Sequence, residues 1–137
     1  MITKRLFQFF LLIGAAFYAF EFFIHFWGLP ILQHDKIFLP THDRYIALYG
    51  LTYAVLLALL AWKPEKHREL FILTMAGILA GFLNASWIAK NNFYTENFNV
   101  PALDADLSLI GYATVAWYIV VASLWFRLCK KLDHFLL

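Results

Sequence analysis

Four apolar runs of about twenty residues dominate this chain of 137 residues. They lie at about residues 6–29, 45–62, 70–89 and 107–126. An α-helix rises about 1.5 Å per residue, so roughly 20 apolar residues cross about 30 Å of hydrocarbon. Four of the five tryptophans stand at the ends of these runs: Trp27, Trp62, Trp87 and Trp125. Because Trp prefers the boundary between membrane and water, the sequence predicts four membrane-spanning helices.

The composition favours a membrane protein over a soluble one. Hydrophobic residues make up 63% of the chain and charged residues 15%, whereas soluble domains average about 45–50% and about 25%. Lipid can surround such an apolar surface, because helices satisfy their backbone hydrogen bonds internally. The predicted fold class is therefore all-α, an integral membrane four-helix bundle that forms a single domain over residues 1–137. The net charge of only +2 and the lack of a basic patch argue against nucleic-acid binding.

Positive charges are distributed unequally between the two sides of the predicted bundle. Eight Lys and Arg residues lie near the termini and in the connection between the second and third runs: Lys4, Arg5, Lys63, Lys66, Arg68, Arg127, Lys130 and Lys131. The other side has three: Lys36, Arg44 and Lys90. The positive-inside rule then predicts an up-down topology with both termini in the cytoplasm, and a bacterial inner membrane is the simplest location. A cleaved signal peptide is the alternative for the N-terminus, but the first apolar run continues to Leu29, beyond the usual length.

Small residues recur at helical spacing along the runs. On the second run they are Ala47, Gly50, Ala54, Ala58 and Ala61. The third run carries the row Thr74, Gly77, Gly81 and Asn84. Such rows let helices approach closely in lipid, so they predict the faces that meet inside the bundle. The Gly-x-x-x-Gly formed by Gly77 and Gly81 is equally compatible with a homodimer.

Glu21 is the most informative polar residue, because a charge within a span costs a few kcal/mol and needs a partner or a role. His25 follows it by one helical turn, so both side chains share a face. We interpret Glu21 and His25 as candidate catalytic residues for acid/base chemistry. They lie towards the side with the two long connections, at about 30–44 and 90–106. The sequence therefore predicts a polar pocket in the outer leaflet, covered by these connections.

Other polar residues are predicted to complete this pocket. The candidate ligand-binding residues are Tyr49, Asn84, Asp104 and Asp106. His25 and His42 are candidate metal ligands. Zinc requires three or four ligands, so His34, Asp104 or Asp106 would have to contribute. No cofactor is identified from the sequence.

The predicted helix starts carry familiar signals. Pro64 suits the first turn of the third helix, because its missing N–H would be unpaired there. Thr41 or Asp43 can cap the second helix, and Asp104 can cap the fourth. We therefore interpret Asp43 as a structural residue rather than as part of a site.

Three functions are compatible with such a pocket. The first is binding or transport of a small cation, a proton or a lipid-like ligand, with membrane lipid as a partner. The second is a small membrane-embedded enzyme, an acid/base isomerase or cyclase that acts on a lipid or isoprenoid. The third is an accessory subunit of a larger membrane complex. The chain is similar in architecture to the small multidrug transporters, which have a Glu in the first of four short spans. Here, however, Glu21 is off-centre and two connections are longer.

Overall fold

The computed structural model describes residues 2–133, without the side chains of Leu32, Gln33, Glu65 and residues 131–133. Within this range the chain is helical and has no strand, which confirms the predicted all-α class. The α-helices of this range are α1 (Ile2–Trp27), α2 (Pro40–Trp62), α3 (Arg68–Lys90), α4 (Phe93–Phe98) and α5 (Pro101–Asp133). Short 3-10 turns cover Ile31–Lys36 and Pro64–Lys66. Residues 1 and 134–137 of the predicted domain lie outside the described residues, as does the side chain of Lys131.

Four of these helices are long and apolar enough to span a membrane, in agreement with the four predicted runs. Each long helix begins before its apolar run, and α3 and α5 also end after theirs, because helical hydrogen bonding continues through polar residues. α1 instead ends at Trp27, before the predicted end of its run at Leu29. α2 and α5 begin at Pro40 and Pro101, which suit a first helical turn because they have no N–H to leave unpaired. Pro64, in contrast, begins a 3-10 turn, and α3 starts only at Arg68.

Gly28 ends α1. Its φ of +62° lies in the left-handed region that favours glycine. The next N–H, that of Leu29, donates a hydrogen bond to the carbonyl oxygen of Ile24 at 3.1 Å, a common way to close a helix. The ring of Phe38 fills the space into which a side chain at Gly28 would project. This turn directs the chain into the 3-10 turn Ile31–Lys36, which packs near the end of α1.

Among the described residues, α1 and α2 make the most extensive helix contact, and α1 also contacts α5, which packs on α3. α2 and α3 are neighbours, as predicted, but they touch over a shorter stretch. Most of the predicted small-residue face of α2 is buried: Ala47, Gly50, Ala54 and Ala61. Ala58 is exposed. Gly50 permits a close backbone approach, since a side-chain carbon there would lie 3.1 Å from the carbonyl oxygen of Tyr18 on α1.

The tryptophans divide into exposed and packed side chains. Three of them are more than half exposed, as expected for side chains at a membrane boundary: Trp27, Trp62 and Trp87. Trp125 instead stacks on Phe71, with ring centroids 4.3 Å apart. Trp117, inside its run, donates its indole N–H to the carbonyl oxygen of Phe10 at 2.8 Å. This bond ties the middle of α5 to α1.

The predicted packing row of α3 is used only in part. Thr74 is buried, and Gly77 lies against Tyr53 of α2. Gly81 and Asn84 are exposed, and a side-chain carbon at Gly81 would meet nothing within 4 Å. Because α2 and α3 touch over only a short stretch, Gly81 and Asn84 lie beyond their contact and border open space. Gly77 already has a neighbour within the chain, and a homodimer through Gly77 and Gly81 stays a prediction.

Candidate functional site

Four polar side chains meet where α1 ends and α2 begins. His25 places its Nδ1 3.0 Å from Asp43 Oδ1, and His34 places its Nε2 2.8 Å from the same oxygen. On the other side of its ring, His25 Nε2 lies 3.3 Å from Glu21 Oε2. The two imidazole rings stand nearly perpendicular, with centroids 4.3 Å apart. We call Glu21, His25, His34 and Asp43 the polar cluster.

The local structure explains how these residues converge from three elements. Glu21 and His25 lie one turn apart on the same face of α1, as predicted. Asp43 lies in the first turn of α2, where its Oδ2 accepts a hydrogen bond from the N–H of Leu39 at 2.6 Å. This bond leaves Asp43 Oδ1 for the two imidazoles. His34 is carried by the 3-10 turn that connects α1 to α2.

Two of the four cluster residues are deeply buried, which is uncommon for ionisable side chains. The exposed fraction is 4% for Asp43 and 5% for His34. Although His34 Nε2 lies 2.8 Å from Asp43 Oδ1, it forms no hydrogen bond of acceptable geometry with the described residues. Burial and the nearby His25 lower the pKa of His34, so its neutral imidazole is favoured. A buried nitrogen without a hydrogen bond is uncommon in folded proteins and marks a position where a ligand could bind.

The polar cluster forms one wall of a cavity of about 240 Å³, which we call the polar pocket. Its ionisable lining residues are Glu21, His25, His34, His42, Asp43, Tyr94 and Asp106. Both long connections contribute to the wall, the first through His34 and Ile37 and the second through Phe93 and Tyr94. Burial raises the pKa of Tyr94, and the charges of Asp43 and Asp104 act in the same direction, so the phenol stays protonated.

A second cavity of about 410 Å³ lies between the four long helices, and we call it the interhelical cavity. Its lining is mostly apolar, aromatic or small and includes Phe17, Tyr53, Gly77, Ile78, Gly81 and Phe82. It adjoins the polar pocket, because four residues line both spaces: Glu21, Ile46, Leu107 and Ile110. Glu21 is the acidic member of this set. Its carboxyl group therefore lies at the boundary between a polar and an apolar space.

Asp104 occupies a different position from the predicted one. α5 begins at Pro101, so Asp104 is not the cap of that helix. Its Oδ2 accepts hydrogen bonds from the N–H and Oγ1 of Thr95, at 2.8 and 2.7 Å, and its Oδ1 accepts one from the N–H of Tyr94 at 3.2 Å. These amides belong to the first turn of α4, where N–H groups lack intrahelical partners. Asp104 therefore caps α4, and its carboxylate is not part of the polar-pocket lining.

The other predicted site residues are distributed over both cavities. Asp106 lines the polar pocket, and Tyr49, which is largely exposed, lines the interhelical cavity. Asn84 lies on an exposed part of α3, and the structure does not bring it to the polar cluster. Of the predicted metal ligands, His25 belongs to the cluster. His42 is exposed and lines the polar pocket without joining the group of close ligand atoms.

Asp43 does more than the helix cap that its position in the sequence predicts. The residue does satisfy an N–H at the start of α2, as a cap would, but its second oxygen faces both buried histidines. His34, rather than His42, is the second histidine of the cluster. The available signal was the His-Asp pair that occurs at 34–35 and again at 42–43. Residue spacing defines no direction here, because His34 lies in the 3-10 turn and His42 in the first turn of α2.

Comparisons of this chain with protein-family models, with curated proteins and with solved structures find no match. The similarity in architecture to the small multidrug transporters is therefore not accompanied by a match to any family. The function has to be inferred from the polar cluster and the two cavities.

Proposed function

We propose that this protein is a multi-pass membrane protein that binds a lipid-like amphiphile. The polar end of the ligand would lie in the polar pocket, and its apolar chain in the interhelical cavity. The observation that carries this proposal is the position of Glu21, which lines both spaces. An amphiphile requires such a junction, because its headgroup and its chain are stable in opposite surroundings.

The dimensions support a ligand of this kind. The interhelical cavity, at about 410 Å³, falls within the range of about 300–1,000 Å³ that is typical of small-molecule sites. Glu21 precedes the end of α1 at Trp27 by six residues, so it lies about 9 Å below that end at the usual helical rise. A headgroup beside Glu21 therefore stays close to the interface while its chain extends among the helices.

The charges of the polar pocket indicate the type of headgroup. Three carboxyl groups line the pocket, those of Glu21, Asp43 and Asp106, and its lining in the described residues contains neither Lys nor Arg. Carboxylates accept hydrogen bonds and attract positive charge. We therefore expect a headgroup that is cationic or that donates hydrogen bonds, such as an amine.

The binding proposal can be tested by filling the cavity. Gly81 lines the interhelical cavity, and a Cβ atom at this position would have no neighbour within 4 Å, so Gly81→Leu adds a side chain where the cavity has room. Purified protein in nanodiscs would be labelled with a photoreactive long-chain alkylamine. We expect labelling to fall several-fold in Gly81→Leu and in Glu21→Gln, and to be unchanged in Ala80→Leu, which alters an exposed position next to Gly81. Equal labelling of all four proteins would contradict the proposal.

The orientation is part of the same proposal and has its own test. The distribution of Lys and Arg favours cytoplasmic termini and a polar pocket on the outer side of a bacterial inner membrane. Asn97 of α4 is exposed near that pocket, so Asn97→Cys in a Cys129→Ser background would report its side. We expect a membrane-impermeant maleimide to label Asn97→Cys in intact cells. Labelling only after permeabilisation would reverse the orientation.

Acid/base catalysis on a lipid or isoprenoid is the second candidate, and the position of His25 favours it. Its ring lies between two carboxyl groups, with Glu21 on one nitrogen and Asp43 on the other. A carboxyl–imidazole pair of this kind can move a proton in an isomerisation or cyclisation. Glu21→Gln should then change the lipid composition of the host membrane while Ala80→Leu does not. Identical lipid extracts would speak for binding alone.

An accessory-subunit role has one supporting observation. Asn84 presents an amide on an exposed part of α3, within a helix of membrane-spanning length. A neighbouring helix in a larger complex could satisfy this amide, because polar side chains often join helices in membranes. Under this proposal Asn84→Leu should abolish co-purification of a partner, whereas a self-contained protein should purify as a single uniform species.

A further inference from the structure

The three buried or half-buried groups at the centre of the polar cluster have the composition of a metal site. His25, His34 and Asp43 each offer one ligand atom, and these atoms all lie within 4.8 Å of one another. They come from α1, the 3-10 turn and α2, so the fold itself brings them together. We propose that His25, His34 and Asp43 bind one divalent transition-metal ion. This site shares Asp43 with the lining of the polar pocket, but metal binding does not require a lipid in the interhelical cavity.

The observed distances fit such an ion. With metal–nitrogen and metal–oxygen bonds of about 2.0–2.2 Å, neighbouring ligand atoms of a tetrahedral site lie about 3.3 Å apart. Asp43 Oδ1 lies 3.0 Å from His25 Nδ1 and 2.8 Å from His34 Nε2. Asp43 Oδ1 would have to move away from each of these nitrogens by about 0.3–0.5 Å to take the ion. Movements of this size are accessible to side-chain rotation alone.

The hydrogen bonding of the cluster is incomplete without a further group. His34 is 5% exposed, and its Nε2 points into the cluster without a hydrogen bond to the described residues. One carboxylate oxygen is left to face two imidazole nitrogens. A buried polar atom without a well-formed hydrogen bond is costly. A cation between the two nitrogens and Asp43 Oδ1 would satisfy all three atoms together.

Neighbouring residues orient the proposed ligands. Glu21 Oε2 lies 3.3 Å from His25 Nε2, which leaves His25 Nδ1 directed at Asp43. A carboxylate behind a ligating histidine fixes the ring and strengthens it as a ligand. The N–H of Leu39 holds Asp43 Oδ2 at 2.6 Å and so fixes the direction of Oδ1. Glu21 is thus a positioning residue for the metal site.

The ligand set indicates the class of metal. Two imidazoles and one carboxylate suit Zn²⁺ or Fe²⁺, whereas Mg²⁺ and Ca²⁺ prefer oxygen ligands. Three protein ligands leave at least one coordination position for water or for another molecule. The side chains of Asp106 and Tyr94 line the same pocket and would face such a molecule.

The test measures metal binding by the full chain in detergent, purified with a tag that contains no histidine and stripped with a chelator. Equilibrium dialysis against Zn²⁺, with the bound metal measured by mass spectrometry, should give one ion per chain. His34→Gln should weaken binding roughly tenfold or more, and Glu21→Gln by about tenfold, because it removes only the support of His25. His67→Gln, outside the polar pocket, is the matched control and should bind as the wild type does.

Two further measurements keep the proposal testable if His34→Gln is unstable. The first is Zn²⁺ binding by Asp43→Asn, whose side chain has nearly the same shape as that of Asp and which should also lose binding. The second is the absorption spectrum of bound Co²⁺, which should show tetrahedral bands only in proteins with an intact site. Gly81→Leu should bind Zn²⁺ normally even where it no longer binds the alkylamine, which separates this inference from lipid binding. The proposal is overturned if folded wild-type protein takes up no stoichiometric ion, or if Asp43→Asn binds it equally well.

Discussion

Gly14 of α1 leaves the space that the indole ring of Trp117 of α5 fills, and a side-chain carbon at Gly14 would collide with that ring. Through this contact the indole N–H reaches the carbonyl oxygen of Phe10 at 2.8 Å. The pair shows how helix packing in this protein depends on one small residue opposite one large one.

Gly14→Val should therefore destabilise the fold by about 1–3 kcal/mol, the usual cost of adding bulk to a packed contact. Ala16→Val is the matched control, since Ala16 is an exposed residue of the same helix. Thermal unfolding in detergent, followed by circular dichroism, would compare the two. Equal melting temperatures would show that α5 can move away from α1 without loss.

Gly28→Ala should destabilise the protein and also weaken the proposed metal site. The φ of +62° disfavours a side chain by about 1–2 kcal/mol, and the new methyl group would collide with Phe38. Because Gly28 leads into the turn that carries His34, Zn²⁺ affinity should fall together with the melting temperature. Gly81→Ala, at a glycine with open space, should change neither property.

Asp104→Ala should loosen α4 without affecting Zn²⁺ binding. The substitution removes the acceptor of the Tyr94 and Thr95 hydrogen bonds and should cost about 1–3 kcal/mol. Hydrogen exchange at the amide of Thr95 should become faster. Glu96→Ala removes an exposed carboxylate of the same helix and serves as the control. An unchanged exchange rate in Asp104→Ala would show that α4 does not depend on this cap.

Removal of a metal ion from the proposed site should lower thermal stability. A ligand at about 100 times its dissociation constant stabilises the folded state by about 2.7 kcal/mol when it binds only that state. Chelator-treated protein should accordingly melt at a lower temperature, and Zn²⁺ but not Mg²⁺ should restore the difference. The melting temperature of Asp43→Asn should not respond to either ion. A similar response in Asp43→Asn would locate the binding elsewhere.

Much of the fold was predictable because it depends on local composition. The lengths of the apolar runs, the exposed Trp27 and Trp87 at helix ends and the buried Ala47–Ala54 face of α2 all follow from helix geometry and from the preference of side chains for lipid. The pairing of Glu21 with His25 follows from a spacing of one helical turn.

The remaining features of the site depend on contacts between different helices and turns, which local patterns do not specify. Asp104 was predicted to cap the helix in which it lies, yet it caps α4, because the chain folds back after α4 and brings Thr95 to its carboxylate. Asn84 was predicted to reach the pocket, but α2 and α3 touch over too short a stretch to enclose it.

Residue order alone thus determined that this chain forms apolar helices of membrane length and that Glu21 and His25 share a face, because both properties are periodic and local. Only the tertiary structure shows that His34 rather than His42 joins the cluster, and that Asp43 contacts both histidines in addition to its bond at the start of α2. The physical reason is that the 3-10 turn between α1 and α2 and the start of α2 set the directions of these side chains. Residue spacing encodes neither of them.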